Sequence, residues 1–266
     1  MAEKRSDDGM LSTDAKLTEF VNRVKETAAG NVQSIILYGS AARGDFQESH
    51  SDLNLLCVMG SLSVEELGRV APVVRWWCVE QQEPAPLFFT AEELHESADV
   101  FAIEMLDMQD SRRVLYGKDV IAEIKVPTNL HRVQVEHELR SIILKLRNQY
   151  LRAPGNAEQL APIVKKSFSG VLVLLRHVII DFGEEPPASA HGIIARAAAL
   201  TESDLAPFER ALEMRKSGVV PGDITPLYGE YLLALQKVIR ALDKCVPKKE
   251  WQRTGRGKFE SEERHI

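Results

Sequence analysis

Four residues in one short stretch have the types and spacing of a site that handles charged ligands. The stretch runs from Ile35 to Met59 and reads IILYGSAARGDFQESHSDLNLLCVM. Gly39 and Ser40 follow the apolar run Ile35–Tyr38, and Asp52 and Asn54 flank Leu53 where a second apolar run begins. A glycine lets the backbone come close to a ligand, and a serine that opens a helical turn adds its hydroxyl to the free N–H groups there. Such a turn suits phosphate. Positions 52 and 54 are two apart, so a strand puts both side chains on one face and Leu53 on the other. That face offers oxygens to a cation.

Holding these residues takes a strand, a glycine-marked turn, a polar loop and a second strand, and the hydrophobic pattern supplies all four. Within the loop, the planar fork of Arg43 suits phosphate oxygens. Asp45 and Glu48 read as surface residues.

The stretch resembles the nucleotidyltransferase superfamily of the DNA polymerase β type. The pattern there is Gly-Ser, a short gap often holding Arg-Gly, and then Asp-x-Asp opening the next strand. Here it stands as Gly39-Ser40-Ala41-Ala42-Arg43-Gly44 and Ser51-Asp52-Leu53-Asn54-Leu55. The resemblance implies a nucleoside triphosphate, ATP or another, gripped by Gly39, Ser40, Arg43 and Ser51. It also implies Mg²⁺ or Mn²⁺ held at Asp52 and Asn54, and transfer of a nucleoside monophosphate to a hydroxyl acceptor as pyrophosphate leaves. The departure is Asn54, which stands where the pattern has its second aspartate. Its carbonyl oxygen brings no charge, so the expectation is a weakened site that is not necessarily abolished, because Mg²⁺ takes one or two carboxylates plus phosphate oxygens.

The superfamily places a third acidic residue on a later strand, as metal ligand or as base for the attacking hydroxyl. The run Val100–Asp107 (VFAIEMLD) reads as a strand with Glu104 among apolar neighbours, sharing a face with Ala102 and Leu106. A carboxylate so placed needs a partner. Glu104 is therefore the candidate third acid, for catalysis and for the metal, with Asp107 on the opposite face as the alternative. The run Val114-Leu115-Tyr116-Gly117 resembles the segment that succeeds that strand in the family. The competing strand, Leu87–Thr90, carries no acid.

The remaining pattern predicts the supporting elements. Ser12 or Thr13 caps a helix to about Ala29, with Leu17, Phe20, Val21 and Val24 at helical spacing. Ser63 with Glu66, and Thr90 with Glu93, open further helices as capping boxes. Pro86 puts the strand Leu87–Thr90 at a sheet edge. From Thr128 onward the periodicity is helical throughout, beginning with a face of Val135, Leu139, Ile142, Ile143, Leu146 and Tyr150. The fold class is α+β: a small mixed sheet with flanking helices over residues 12–125, then an antiparallel bundle over 126–245. The bundle resembles the helical domain of kanamycin nucleotidyltransferase-like proteins in architecture and order. Residues 1–11 and the tail 246–266 read as disordered.

Composition sets the outer bounds. With 266 residues, 44% apolar and 27% charged, the chain is that of an ordinary globular protein. A net charge of -6 argues against nucleic acid as a partner. The N-terminus lacks an apolar signal region, no apolar run reaches the roughly 20 residues of a membrane span, and three scattered cysteines fit a reducing cytoplasm. Arg132 and His137 form an Arg-x4-His pair resembling the ribonuclease motif of helical HEPN domains, a spacing that arises readily by chance. His177 reads as a core histidine, and at least one of Trp76 and Trp77 as core. The leading expectation is an enzyme acting on an acceptor held between the domains. The alternatives are a catalytically degenerate binding module and a toxin–antitoxin partner, and a homodimer or protein partner would use the helical half.

Overall fold

The computed structural model describes residues 12–42, 52–128 and 130–245. The chain divides into two compact units, with the division at His131/Arg132.

The first unit is built on a four-stranded mixed sheet of order β3-β2-β1-β4. Helix α1 (Thr13–Thr27) is capped by the Ser12 hydroxyl, which accepts from the Ala15 N–H, and it leads into strand β1 (Val32–Tyr38). A 3-10 turn over Ser40–Ala42 comes next, and β2 (Asn54–Met59) returns antiparallel to β1. Helix α2 (Val64–Arg75) is capped by Ser63 and runs straight into a π-helical turn at Trp76–Glu80. Strand β3 (Leu87–Thr90) pairs parallel with β2 at one edge of the sheet, the position Pro86 pointed to. Thr90 and Glu93 close a full capping box on α3 (Ala91–Glu96). After α4 (Ala102–Asp110), β4 (Arg112–Gly117) lies antiparallel to β1 at the other edge.

Strand alternation splits the core into two layers. Leu53, Leu55, Cys57 and Met59 of β2 join Ile35 and Leu37 of β1 against Phe20 and Val24 of α1 and both tryptophans, Trp76 and Trp77. Leu56, Val58 and Ile36 point the other way, against Leu94, Met105 and Met108 of α3 and α4. Asn54 and Tyr38 belong by alternation to this second layer.

The second unit is helical: α5 (His131–Arg152), α6 (Ala157–Asp181), α7 (Ala190–Thr201), α8 (Ala206–Ser217) and α9 (Thr225–Lys244). Val135, Leu139, Ile143 and Leu146 are buried along α5, as the periodicity predicted. Helix α6 is buried on nearly all sides in its second half, His177 included, and neighbours α7, α8 and α9. Tyr228 of α9 donates its hydroxyl to the Leu146 carbonyl at 2.7 Å, and Tyr231 packs edge-on to Phe208 of α8. Arg132 is ion-paired with Glu136, and His137 is exposed.

One predicted element is wrong. Val100–Asp107 is not a strand: residues 102–110 form α4, while Val100 and Phe101 precede it as exposed residues. Glu104 is consequently exposed on the first turn of a helix instead of buried in a sheet. The fourth strand is Arg112–Gly117, and none of the four strands carries an aspartate or a glutamate.

Candidate functional site

The site forms at the carboxyl end of β1, where the chain leaves the sheet and β2 re-enters beside it. Tyr38 and Asn54 are direct cross-strand partners. Gly39 comes next and takes φ +81, a left-handed conformation that an L side chain rarely adopts. A Cβ added there would lie 3.5 Å from Asn54 Nδ2, so the glycine keeps the space beside the Asn54 amide clear.

Gly39 is held from two sides. Its N–H donates to the Ser111 carbonyl at 3.0 Å, and its own carbonyl accepts from the Ser111 hydroxyl at 3.1 Å and from the Ala42 N–H at 3.0 Å. Ser111, buried in the link between α4 and β4, thus clamps the turn to the second layer of the unit. The 3-10 turn begins directly afterwards at Ser40, so the expected strand, turn and helical opening are all present. Arg43 and Ser51, together with Gly44, Asp45 and Glu48, lie outside the described residues.

Asp52 is exposed just ahead of β2, and Leu53 is buried behind it against α1. The Leu53 N–H donates to Glu83 Oε2 at 3.1 Å, and Glu83 Oε1 pairs with Lys16 Nζ at 3.2 Å. Asn54 is half-buried and lies on the α4 side of the sheet.

Helix α4 supplies the remaining charge. Glu104 and Asp107 are three residues apart, hence on one helical face and not on opposite faces as strand geometry would have them. Both are close enough to act on Tyr38. Burial above all, then the Glu104 and Asp107 carboxylates, push its phenol up to about 12. Tyr38 therefore stays protonated at neutral pH. Tyr38, Ser111 and Glu83 escaped the motif reading. The signal was present for one of them: Lys16 lies on the buried face of α1, four residues before Phe20, and a lysine there demands an acidic partner.

Among the described residues no group of three or more His, Cys, Asp or Glu side chains is gathered as a metal site. Cys57 is buried in the core, which pushes its thiol far up and leaves it inert. No helix of the described residues is long and apolar enough to cross a membrane.

The chain matches no family model. Over 48 residues, 18% of its length, it is 42% identical to a protein of Methanocaldococcus jannaschii classed as a protein adenylyltransferase. The match spans about half of that relative, 47% of its length. Among solved structures, spectinomycin adenyltransferase from Enterococcus faecialis, determined with ATP and spectinomycin, superposes with a TM-score of 0.52 at 16% identity. That likeness covers 85% of this chain and 99% of the other, so it extends through sheet and helices alike. In fold the chain is similar to that adenyltransferase, and over one 48-residue stretch its sequence is similar to the archaeal protein's.

Proposed function

We propose that the protein transfers a nucleoside monophosphate, AMP from ATP, to a hydroxyl group of an acceptor, with a divalent metal ion. The observation that carries this reading is the juxtaposition of the Gly39 turn with Asn54, directly behind an exposed Asp52. Gly39 and Ser40 would hold the β- and γ-phosphates, aided by Arg43 and Ser51. Asp52 and the Asn54 amide oxygen would hold Mg²⁺ or Mn²⁺. One carboxylate and one neutral oxygen suit an ion that draws its other ligands from phosphate and water, and do not suit a metal caged by protein alone. When bound, the ion would supply charge neutralisation at the phosphates.

In the reaction the acceptor oxygen forms a bond to the α-phosphorus, the bond from that phosphorus to the bridging oxygen breaks, and pyrophosphate leaves with the electron pair. The hydroxyl proton passes to a base, and Glu104 on the exposed face of α4 is assigned that role, with Asp107 beside it. A base must come within hydrogen-bond reach of the hydroxyl it serves. The solved neighbour holds ATP and spectinomycin, and the archaeal relative is classed by action on protein, so both small-molecule and protein hydroxyls belong among the acceptors to test.

A second reading has its own observation. Asn54 and the absence of any carboxylate from the four strands favour a nucleotide-binding module without catalysis. Calorimetric titration of ATP with excess Mg²⁺ or Mn²⁺, without metal, and into Asp52→Ala tests the site. Release of pyrophosphate with transfer of α-labelled AMP to a hydroxyl compound or protein separates enzyme from module. Metal-dependent binding without transfer to any acceptor favours the module, and no nucleotide binding at all overturns both readings.

A further inference from the structure

The start of β2 is held by an arrangement more elaborate than a strand end requires. Pairing of β2 with β1 begins at Asn54, and pairing with β3 begins at Leu56, so the Asp52–Leu53 peptide lies ahead of both ladders. Its N–H goes to a side chain, Glu83 Oε2, at 3.1 Å. The other oxygen of that carboxylate is paired with Lys16, and both side chains are nearly buried, at 10% and 12% exposure.

Several unusual features serve this one contact. Helix α2 gives way to the π-helical turn Trp76–Glu80, and Gln82 takes φ +56, a left-handed conformation for a non-glycine residue. The Glu83 N–H then donates to the Trp77 carbonyl, and the Trp77 indole N–H donates to the Pro84 carbonyl at 2.9 Å. Trp77 is wholly buried, 4.9 Å from the ring of Phe20, one turn along α1 from Lys16. Segment 76–84 is thereby wound onto α1 so that Glu83 faces inward. Backbone strain and a buried ion pair both cost free energy, and replacing such a pair by apolar residues of similar volume is often neutral or stabilising.

We infer that Glu83, oriented by Lys16, is a positioning residue: by fixing the Asp52–Leu53 peptide it sets the backbone torsion from which the Asp52 carboxylate projects toward metal and nucleotide. This rests on the nucleotidyltransferase reading above. Leu53, buried on the far side, completes the constraint, because the peptide plane and the neighbouring side chain together leave Asp52 little freedom. Residues that orient a metal ligand from behind typically change metal affinity by about 10- to 100-fold when lost.

Two double variants isolate the contact. Lys16→Met/Glu83→Gln removes both charges and keeps an oxygen for the Leu53 N–H; Lys16→Met/Glu83→Leu removes both charges and the oxygen. Metal-dependent ATP affinity, read by calorimetry with Mn²⁺, is expected within about threefold of wild type in the first and about 10- to 100-fold weaker in the second. Melting temperature and Leu53 amide exchange are read alongside, and a purely structural pair would move stability without separating the two affinities. Should the leucine variant not fold, Glu83→Asp, which keeps the charge but shortens the reach, is expected to weaken binding in its place. Equal affinities in the two doubles, or wild-type affinity in a folded Glu83→Asp, overturn the inference. A wild-type protein that binds no nucleotide overturns instead the reading on which it rests.

Discussion

The two walls of the site are built on opposite principles. The strand wall, Tyr38 to the Gly39 turn and Asp52 to Asn54, is fixed by backbone: ladder pairing, the Ser111 clamp and the Glu83 contact. It brings one carboxylate. The helix wall, α4, is fixed by packing of Ala102, Ile103, Met105 and Met108, and it offers Glu104 and Asp107 from its outer face. A wall held by main-chain hydrogen bonds suits a phosphate or metal that needs set distances. A helical face with two carboxylates suits a proton acceptor, whose partner arrives in varied forms. The difference teaches that negative charge has been kept off the sheet, where every strand lacks it, and gathered on the helix.

The largest effect should come from the strand wall. Asp52→Ala is expected to abolish metal-dependent ATP binding in calorimetry while leaving the melting temperature where it is, since the side chain is exposed. Retained binding would mean that the metal ligands lie elsewhere. Next comes the helix wall. Glu104→Gln is expected to lower AMP transfer by about 100-fold, the low end of what a general base contributes, with nucleotide affinity nearly unchanged. If Glu104→Gln weakens ATP binding instead, the two walls are not divided by role, and Glu104 belongs with Asp52 at the metal.

The same physics decides how far these walls could be read from sequence. Period two is unmistakable in β1 and β2, because one face of each strand packs on α1 and the other on α3 and α4. The Gly39 turn was equally legible, since its φ admits little else. Helix α4 was not. Val100 and Phe101 gave the run the look of a strand, yet both precede the element and are exposed. From Ala102 onward the residues AIEMLDMQD are mostly good helix formers, and Met105 and Met108 repeat at helical spacing. Met108 lies one residue beyond Asp107, where the strand-like run stops, and with Met105 it completes the helical pattern. Glu83 was hidden for another reason: it sits beside two prolines in a segment that sequence marks only as a loop, and its partner Lys16 is 67 residues away. Long-range pairing of that kind leaves no local periodicity to read.

Asn54→Asp sharpens the comparison by placing a second carboxylate on the strand wall. In a site adapted to asparagine it is expected to leave ATP affinity within about threefold and to lower transfer, because the added charge disturbs a donor set that draws its balance from phosphate oxygens. A rise of tenfold or more in metal affinity would point to a decayed site, and so to the binding module.

The smallest effect tests whether the two walls face one another at all. Tyr38 stands on the strand wall, and its phenol is pushed up to about 12 by burial first and then by the α4 carboxylates. Neutralising them in Glu104→Gln/Asp107→Asn should lower that value toward the ordinary 10 without reaching it, since burial remains. Alkaline titration of Tyr38, followed by its ring resonance with Tyr38→Phe as the assignment control, reads this directly. Stability shifts with the same sign: a phenol whose pKa is raised on folding contributes stability that is fully present below pH 10 and is lost as pH climbs from 10 through about 12. The double variant should therefore lose less stability across that window than wild type, while the two behave alike at neutral pH, where Tyr38 is protonated in both. An unchanged titration would place the carboxylates out of range of Tyr38, and Glu104 could then not serve a hydroxyl bound over the strand wall.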